Sequence, residues 1–184
     1  DRSTGVLAQA TDGSGCFAPA EGGGCRAAVE IEGANAIAIA GGRNVYATSL
    51  LSDSVTSFSR NRQSGVLAQL PGTSACLLYL RAAGCSFGRA LNAPEGIAVS
   101  ANGRNVYVAS FASGAIDVLD RSRQTGAVAQ RAGAAGCHAA PTLPGCTPAR
   151  ALKGVSSLAL SRDGTNLYAT SFGSNAVDVF RRIR

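Results

Sequence analysis

The chain has 184 residues, 46% of them hydrophobic, with 23 Gly, 6 Pro, 6 Cys and neither Trp nor Met. That length and apolar content exclude a disordered chain and leave ample material for a buried core. The formal net charge of +6 is carried almost wholly by arginine, since Lys153 is the sole lysine.

A basic balance of this kind fits a solvated surface or an anionic partner such as an acidic glycan or a cell-surface component. The arginines are spread along the chain without stacking aromatics, which argues against nucleic acid. The apolar runs are short and broken by Gly, Asn, Asp and Ser, so no membrane span is expected. With no starting Met and no signal peptide, the sequence reads as a mature product or a fragment.

In chain order, the first recognisable stretch is Gly5-Val6-Leu7-Ala8-Gln9, a short strand candidate. It recurs as Gly65-Val66-Leu67-Ala68-Gln69 and Gly126-Ala127-Val128-Ala129-Gln130. A cysteine pair follows each copy: Cys16 and Cys25, Cys76 and Cys85, Cys137 and Cys146. Next comes a strand of alternating large and small residues, Ala36-Ile37-Ala38-Ile39-Ala40, matched by residues 96–100 and 157–161. A tyrosine strand follows, Asn44-Val45-Tyr46-Ala47-Thr48-Ser49, with its counterparts around Tyr107 and Tyr168, a spacing of 61 twice. The last strand of the unit is Ser54-Val55-Thr56-Ser57-Phe58, matched by Ala115-Ile116-Asp117-Val118-Leu119 and Ala176-Val177-Asp178-Val179-Phe180. Turn residues separate these segments, as in Asn102-Gly103, Asp163-Gly164 and Ser113-Gly114. Helical periodicity is absent.

Four short antiparallel strands at a fixed period predict an all-β fold, a β-propeller built from three four-stranded blades. The repeats run approximately over 1–60, 61–121 and 122–184 of one half-propeller domain. A β-solenoid would have shorter rungs. Three blades are too few for a ring, since known propellers start at about four. The chain opens on a lone fourth strand and stops after a third. The ring is therefore expected to close in a second chain, giving six blades, or through further repeats. In the two-chain form Gly5, Val6, Leu7, Ala8 and Gln9 of one copy complete the final blade of the other beside Val177 and Val179. Failure to close would propagate a filament.

The strings Arg104-Asn105-Val106-Tyr107-Val108-Ala109-Ser110 and Ile116-Asp117-Val118-Leu119-Asp120-Arg121, then Thr125-Gly126, resemble the YVTN-type and lactonase-like bacterial β-propeller repeats. The resemblance covers all three units and implies the fold. It departs in the long cysteine-bearing connection, which is similar to that of secreted bacterial propellers without an assigned activity.

Each unit holds one cysteine pair inside one connection, so the repeat predicts Cys16–Cys25, Cys76–Cys85 and Cys137–Cys146. Each bridge closes a loop worth about 2.7 kcal/mol, and loops so rich in Gly, Ala and Pro are expected to have little core of their own. Disulfides imply a secreted, cell-surface or periplasmic location. Zinc is disfavoured because His138 is the sole histidine and the spacing is wide. No metal or cofactor is expected, and Asp12-Gly13-Ser14 is too short a match for a calcium loop.

His138 reads as an incidental loop residue. Asp117 and Asp178 read as acceptors of a turn amide or hydroxyl, and Tyr46, Tyr107 and Tyr168 as interblade packing with bonded hydroxyls. Leu50, Phe111 and Phe172 should share one face with the stapled loops. With Asp53, Ser113 and Asn175 they form the candidate binding face. No catalytic constellation stands out. The reading is a non-enzymatic extracellular propeller that binds or self-assembles. The alternatives are a lactonase-like hydrolase or isomerase, for which only Glu95 is acidic near the inner strands, and a lectin, for which Trp is missing.

Overall fold

The computed structural model describes residues 4–11, 13–81 and 84–183. After a short parallel pair, β1 (Phe17–Ala18) with β2 (Arg26–Ala27), the chain forms three successive sheets. The first contains β3 (Ala34–Ala40), β4 (Asn44–Ser49), β5 (Ser54–Arg60), β6 (Leu67–Gln69), β7 (Cys76–Leu78) and β8 (Ser86–Phe87). The second repeats it with β9 (Pro94–Val99), β10 (Asn105–Ser110), β11 (Ala115–Arg121), β12 (Val128–Gln130), β13 (Cys137–Ala139) and β14 (Thr147–Pro148). The third holds only β15 (Val155–Leu160), β16 (Asn166–Ser171) and β17 (Ala176–Arg181). Among the described residues there is no α-helix; the only helical turns are 3-10. Stacked antiparallel sheets of this order are the blades of a β-propeller.

The three main strands of each blade form where the alternation and the turn residues predict them. The fourth strand differs: it is split. β6 pairs the lower half of β5, Arg60 opposite Leu67, and β7 pairs the upper half, Thr56 opposite Cys76. Ser57 bridges the break, its carbonyl accepting from Leu70 N at 2.9 Å and its amide donating to Ala75 O at 2.8 Å. The excursion between them is a single 3-10 turn over Gly72–Ser74. So the cysteine segment is not merely a connection. It is the upper half of the outer strand, and β8 then adds to it in parallel.

The three disulfides form as the repeat predicts, Cys16–Cys25, Cys76–Cys85 and Cys137–Cys146. The loops are less hollow than their composition suggests. Ala90, Ala115, Cys137, Ala139 and Cys146 are buried together with Leu143 packed on them.

The main core lies between blades. Tyr46, Val55 and Leu77 of the first blade pack on Val106, Val108 and Leu119 of the second. Tyr107, Ile116 and Val118 of the second pack on Leu167 and Ala169 of the third. Towards the axis the first strands close on one another, and a Cβ on Gly96 would sit 2.6 Å from Ser156 O. The predicted Gly at this point is the residue that the approach requires.

The stretch predicted as a strand at residues 5–9 is not one in this chain: it belongs to no sheet, with Leu7 94% exposed. Its counterparts β6 and β12 are strands because β5 and β11 lie beside them. Among the described residues no strand lies beside residues 5–9.

Candidate functional site

Three sets of residues recur at equivalent places and could carry function. The first lines the axis. Each innermost strand has one irregularity in its pairing, at Asn35 in β3, Glu95 in β9 and Ser156 in β15. A bulge re-aims its side chain out of the pleat, and here it breaks the Ala/Ile alternation with a polar residue in all three blades. Thr48 Oγ1 donates to Asn35 Oδ1 at 2.7 Å and lies 3.3 Å from Glu95 O, tying the first two bulges together. Partial burial raises the Glu95 carboxyl above its ordinary pKa. Sequence reasoning noted Glu95 but missed its two counterparts, which share its position and not its chemistry.

The second set is the face of the stapled loops. Phe111 N donates to Ala93 O and Phe172 N to Gly154 O, both at 2.9 Å, and Leu50 N to Gly33 O at 3.0 Å. These three residues therefore sit where each blade's first strand begins. Phe111 is half-buried with its ring over Gly154 of the next blade; Phe172, with no following blade in the chain, is 78% exposed. Ser113 Oγ accepts from Asn92 N at 3.2 Å. Asp53, in the left-handed region at φ 51°, accepts from Ala93 N of the next blade at 2.6 Å, and Asn175 has the same conformation at the third blade. Asp53, Ser113 and Phe111 thus already have structural tasks, whereas Phe172 faces solvent. Asp12 lies outside the described residues.

The third set occupies the opposite face, where the tyrosine strands begin and the third strands end. Arg121 Nε donates to Tyr46 Oη at 2.6 Å, and Tyr46 Oη donates to Gly126 O at 2.6 Å. Burial raises the Tyr46 phenol pKa, and Arg121 opposes that shift. Around these contacts Arg43, Arg60, Arg62 and Arg123 line a groove between the first two blades. The sequence reading took the tyrosines as interblade packing but missed the arginine, although it recurs at 60, 121 and 182 with the tyrosine spacing.

The remaining candidates have ordinary surroundings. His138 is in β13, its ring 5.4 Å from Phe180 of the next blade, and burial lowers its pKa. It stands where Phe17 packs on Phe58, so it is a packing residue in a strand and not a loop residue. Asp117 and Asp178 accept from the hydroxyls of Ser110 and Ser171 at 2.7 and 2.9 Å. Among the described residues no three His, Cys, Asp or Glu side chains converge as metal ligands.

Blades with these repeated contacts define a β-propeller whose sheets are ordered by interblade hydrogen bonds. No protein-family model matches the chain, and no curated protein matches it. Solved structures do. A 6-phosphogluconolactonase candidate from Bacteroides fragilis is similar at 20% identity with a TM-score of 0.57, over 80% of this chain and 37% of that one. A protein from Lactobacillus plantarum is similar at 24% identity and a TM-score of 0.58, over 82% and 38%. A second 6-phosphogluconolactonase candidate, from Bacteroides uniformis, is similar at 19% identity and a TM-score of 0.50, over 80% and 35%. The chain spans well under half of each. These likenesses establish a lactonase-like β-propeller fold.

Proposed function

We propose that the chain is an extracellular propeller segment of the YVTN-repeat type that acts by binding and self-assembly. The observation that carries this reading is a pair of open, mutually matching sheet faces. On the first blade Ile37 is 64% and Ile39 58% exposed, and on the third Val177 is 71% and Val179 63% exposed. Their counterparts on the middle blade are packed against neighbours. Apolar faces of that kind, rimmed by polar turns, are interaction surfaces. The three disulfides support a secreted or cell-surface setting. The arginine-lined groove supports an acidic glycan as a further ligand. Light scattering on the purified chain across a concentration series tests the reading. The expected mass is a multiple of 18.5 kDa; a constant monomer mass at every concentration refutes it.

A second reading, hydrolysis of a sugar lactone, is supported by the names of two of the similar structures. Those names favour catalysis over a non-catalytic module. Asn35, Glu95 and Ser156 would be the axis-side groups of such a site, with Glu95, its carboxyl pKa raised, as the base. The test is hydrolysis of 6-phosphogluconolactone above the uncatalysed rate. Turnover that Glu95→Gln abolishes makes this reading the function; turnover absent in the wild type removes it.

A further inference from the structure

Both boundaries between blades are closed by the same latch. At the first, Arg121 donates from Nε to Tyr46 Oη at 2.6 Å, from Nη2 to Asn44 Oδ1 at 2.5 Å and from Nη1 to Gly103 O of its own blade at 2.9 Å. At the second, Arg182 donates from Nε to Tyr107 Oη at 2.7 Å, from Nη2 to Asn105 Oδ1 at 3.4 Å and from Nη1 to Gly164 O at 2.5 Å. In each case a guanidinium anchored on its own turn clamps the tyrosine and asparagine of the preceding blade.

The two ends of the chain hold the two halves of this latch apart. Arg60 occupies the arginine position of the first blade, and its Nη1 is already set on Gly42 O at 3.1 Å, the counterpart of Gly103 and Gly164. Among the described residues its Nε and Nη2 meet no acceptor. Tyr168 occupies the tyrosine position of the last blade and is 38% exposed, where Tyr46 is 0% and Tyr107 7%. Its hydroxyl has no hydrogen-bond partner among the described residues. Asn166 spends its Nδ2 on Thr165 Oγ1 at 2.9 Å and leaves Oδ1 open.

A second divided contact falls at the same boundary. The fourth-strand glutamine of each complete blade ties down the segment that enters that blade. Gln69 exchanges two 3.0 Å hydrogen bonds with the Val29 backbone. Gln130 accepts from Arg89 N at 2.7 Å and donates from Nε2 to Arg89 O at 3.1 Å and to Asp117 Oδ1 at 2.9 Å. The last blade has the matching Asp178, held by Ser171, and no glutamine strand beside it. The glutamine left over in the repeat is Gln9, which turns back onto Gly15 O at 3.0 Å.

We propose that a second copy of this chain joins these halves. Arg60 of one copy clamps Tyr168 and Asn166 of the other. In the same contact residues 5–9 run along β17, with Gln9 reaching Asp178. The occupant is a second copy because both halves of both contacts, and both open apolar faces, belong to this one sequence. They repeat two interfaces already formed within it. The proposal rests on the self-assembly reading and names the residues that make it specific.

Sedimentation equilibrium on the full chain tests it, with Arg60→Gln, Tyr168→Phe and the double variant. Wild type should associate reversibly. Each single variant should raise the dissociation constant about tenfold or more, the loss of a hydrogen bond to a charged group. The double variant should be no weaker than the weaker single one, because both changes break one contact. At dilutions where the chains are monomeric, the melting temperature of Tyr168→Phe, whose hydroxyl has no partner among the described residues, should stay at the wild-type value, which a residue with a merely structural role would not allow. Wild type that stays monomeric at the highest concentration overturns both the assembly reading and the latch. Wild type and variants that associate equally overturn the latch alone, as do losses that simply add.

Discussion

Asp117 is fully buried, held between Ser110 Oγ at 2.7 Å and Gln130 Nε2 at 2.9 Å. Burial pushes its carboxyl from 3.8 up to about 8, against the lowering influences of Ser110, Arg89 and Gln130. The folded state therefore keeps a proton that the unfolded chain loses near pH 4. Stability from this group is fully present below that pH and is lost as pH rises towards 8, with a slope of at most about 1.4 kcal/mol per pH unit. Asp117→Asn keeps the shape and removes the titration. Its melting temperature should be flatter than that of wild type between pH 4 and 8, measured by circular dichroism. An unchanged slope would place the titration elsewhere. That Asp117 accepts from a hydroxyl or a turn amide was legible in the sequence; that the donor is Ser110 was not, because Ser49 holds the same position in the first blade, where Thr56 replaces the aspartate. The buried glutamine partner was not, because nothing local shows that the split fourth strand brings Gln130 back over β11.

At the scale of elements, the three main strands, their turns and the disulfide pairing could all be read from the repeat. Alternation and turn chemistry are local signals, and a threefold repeat confirms them internally. What escaped is non-local or irregular: the second half of the outer strand, the bulges at Asn35, Glu95 and Ser156, and the arginine of the latch. Two predictions belong here. Removing Cys137–Cys146 by paired Ala substitution should cost about 2–3 kcal/mol in denaturant unfolding. Removing Cys16–Cys25 should cost less, because Cys137 and Cys146 are buried in their own small core and the first pair is only half-buried. Phe111→Ser should destabilise by about 1–2 kcal/mol, since its ring covers Gly154 of the next blade. Phe172→Ser, at an exposed position, should leave the melting temperature unchanged and weaken only the binding of a ligand to the stapled-loop face. Equal loss of stability in both would show that Phe172 is packed in solution.

For the whole molecule, folding and association should be linked. If chains cover each other's end blades, the melting temperature should climb with protein concentration. Deleting residues 1–9 should abolish that climb without unfolding the three sheets, since Leu7 is 94% exposed and residues 4–9 belong to no sheet. Scanning calorimetry at two concentrations checks both statements; a concentration-independent transition in the wild type contradicts the first. The contacts between blades were only half legible in the sequence. The repeat predicted tyrosines packed between neighbouring sheets, while the arginine that clamps them became visible only in the structure, at Arg121 and Arg182.

The latch also makes the protein report on itself. The chain has four tyrosines and no tryptophan, so its ultraviolet emission comes from very few rings; two of them, Tyr46 and Tyr107, are latch residues, and Tyr168 holds the same position in the third blade. Tyr46 sits desolvated under a guanidinium with its ionisation pushed upward, while Tyr168 faces water. Capture of Tyr168 by an arginine would move one chromophore from the second environment to the first. Assembly would then be visible as a tyrosine difference spectrum, without any label.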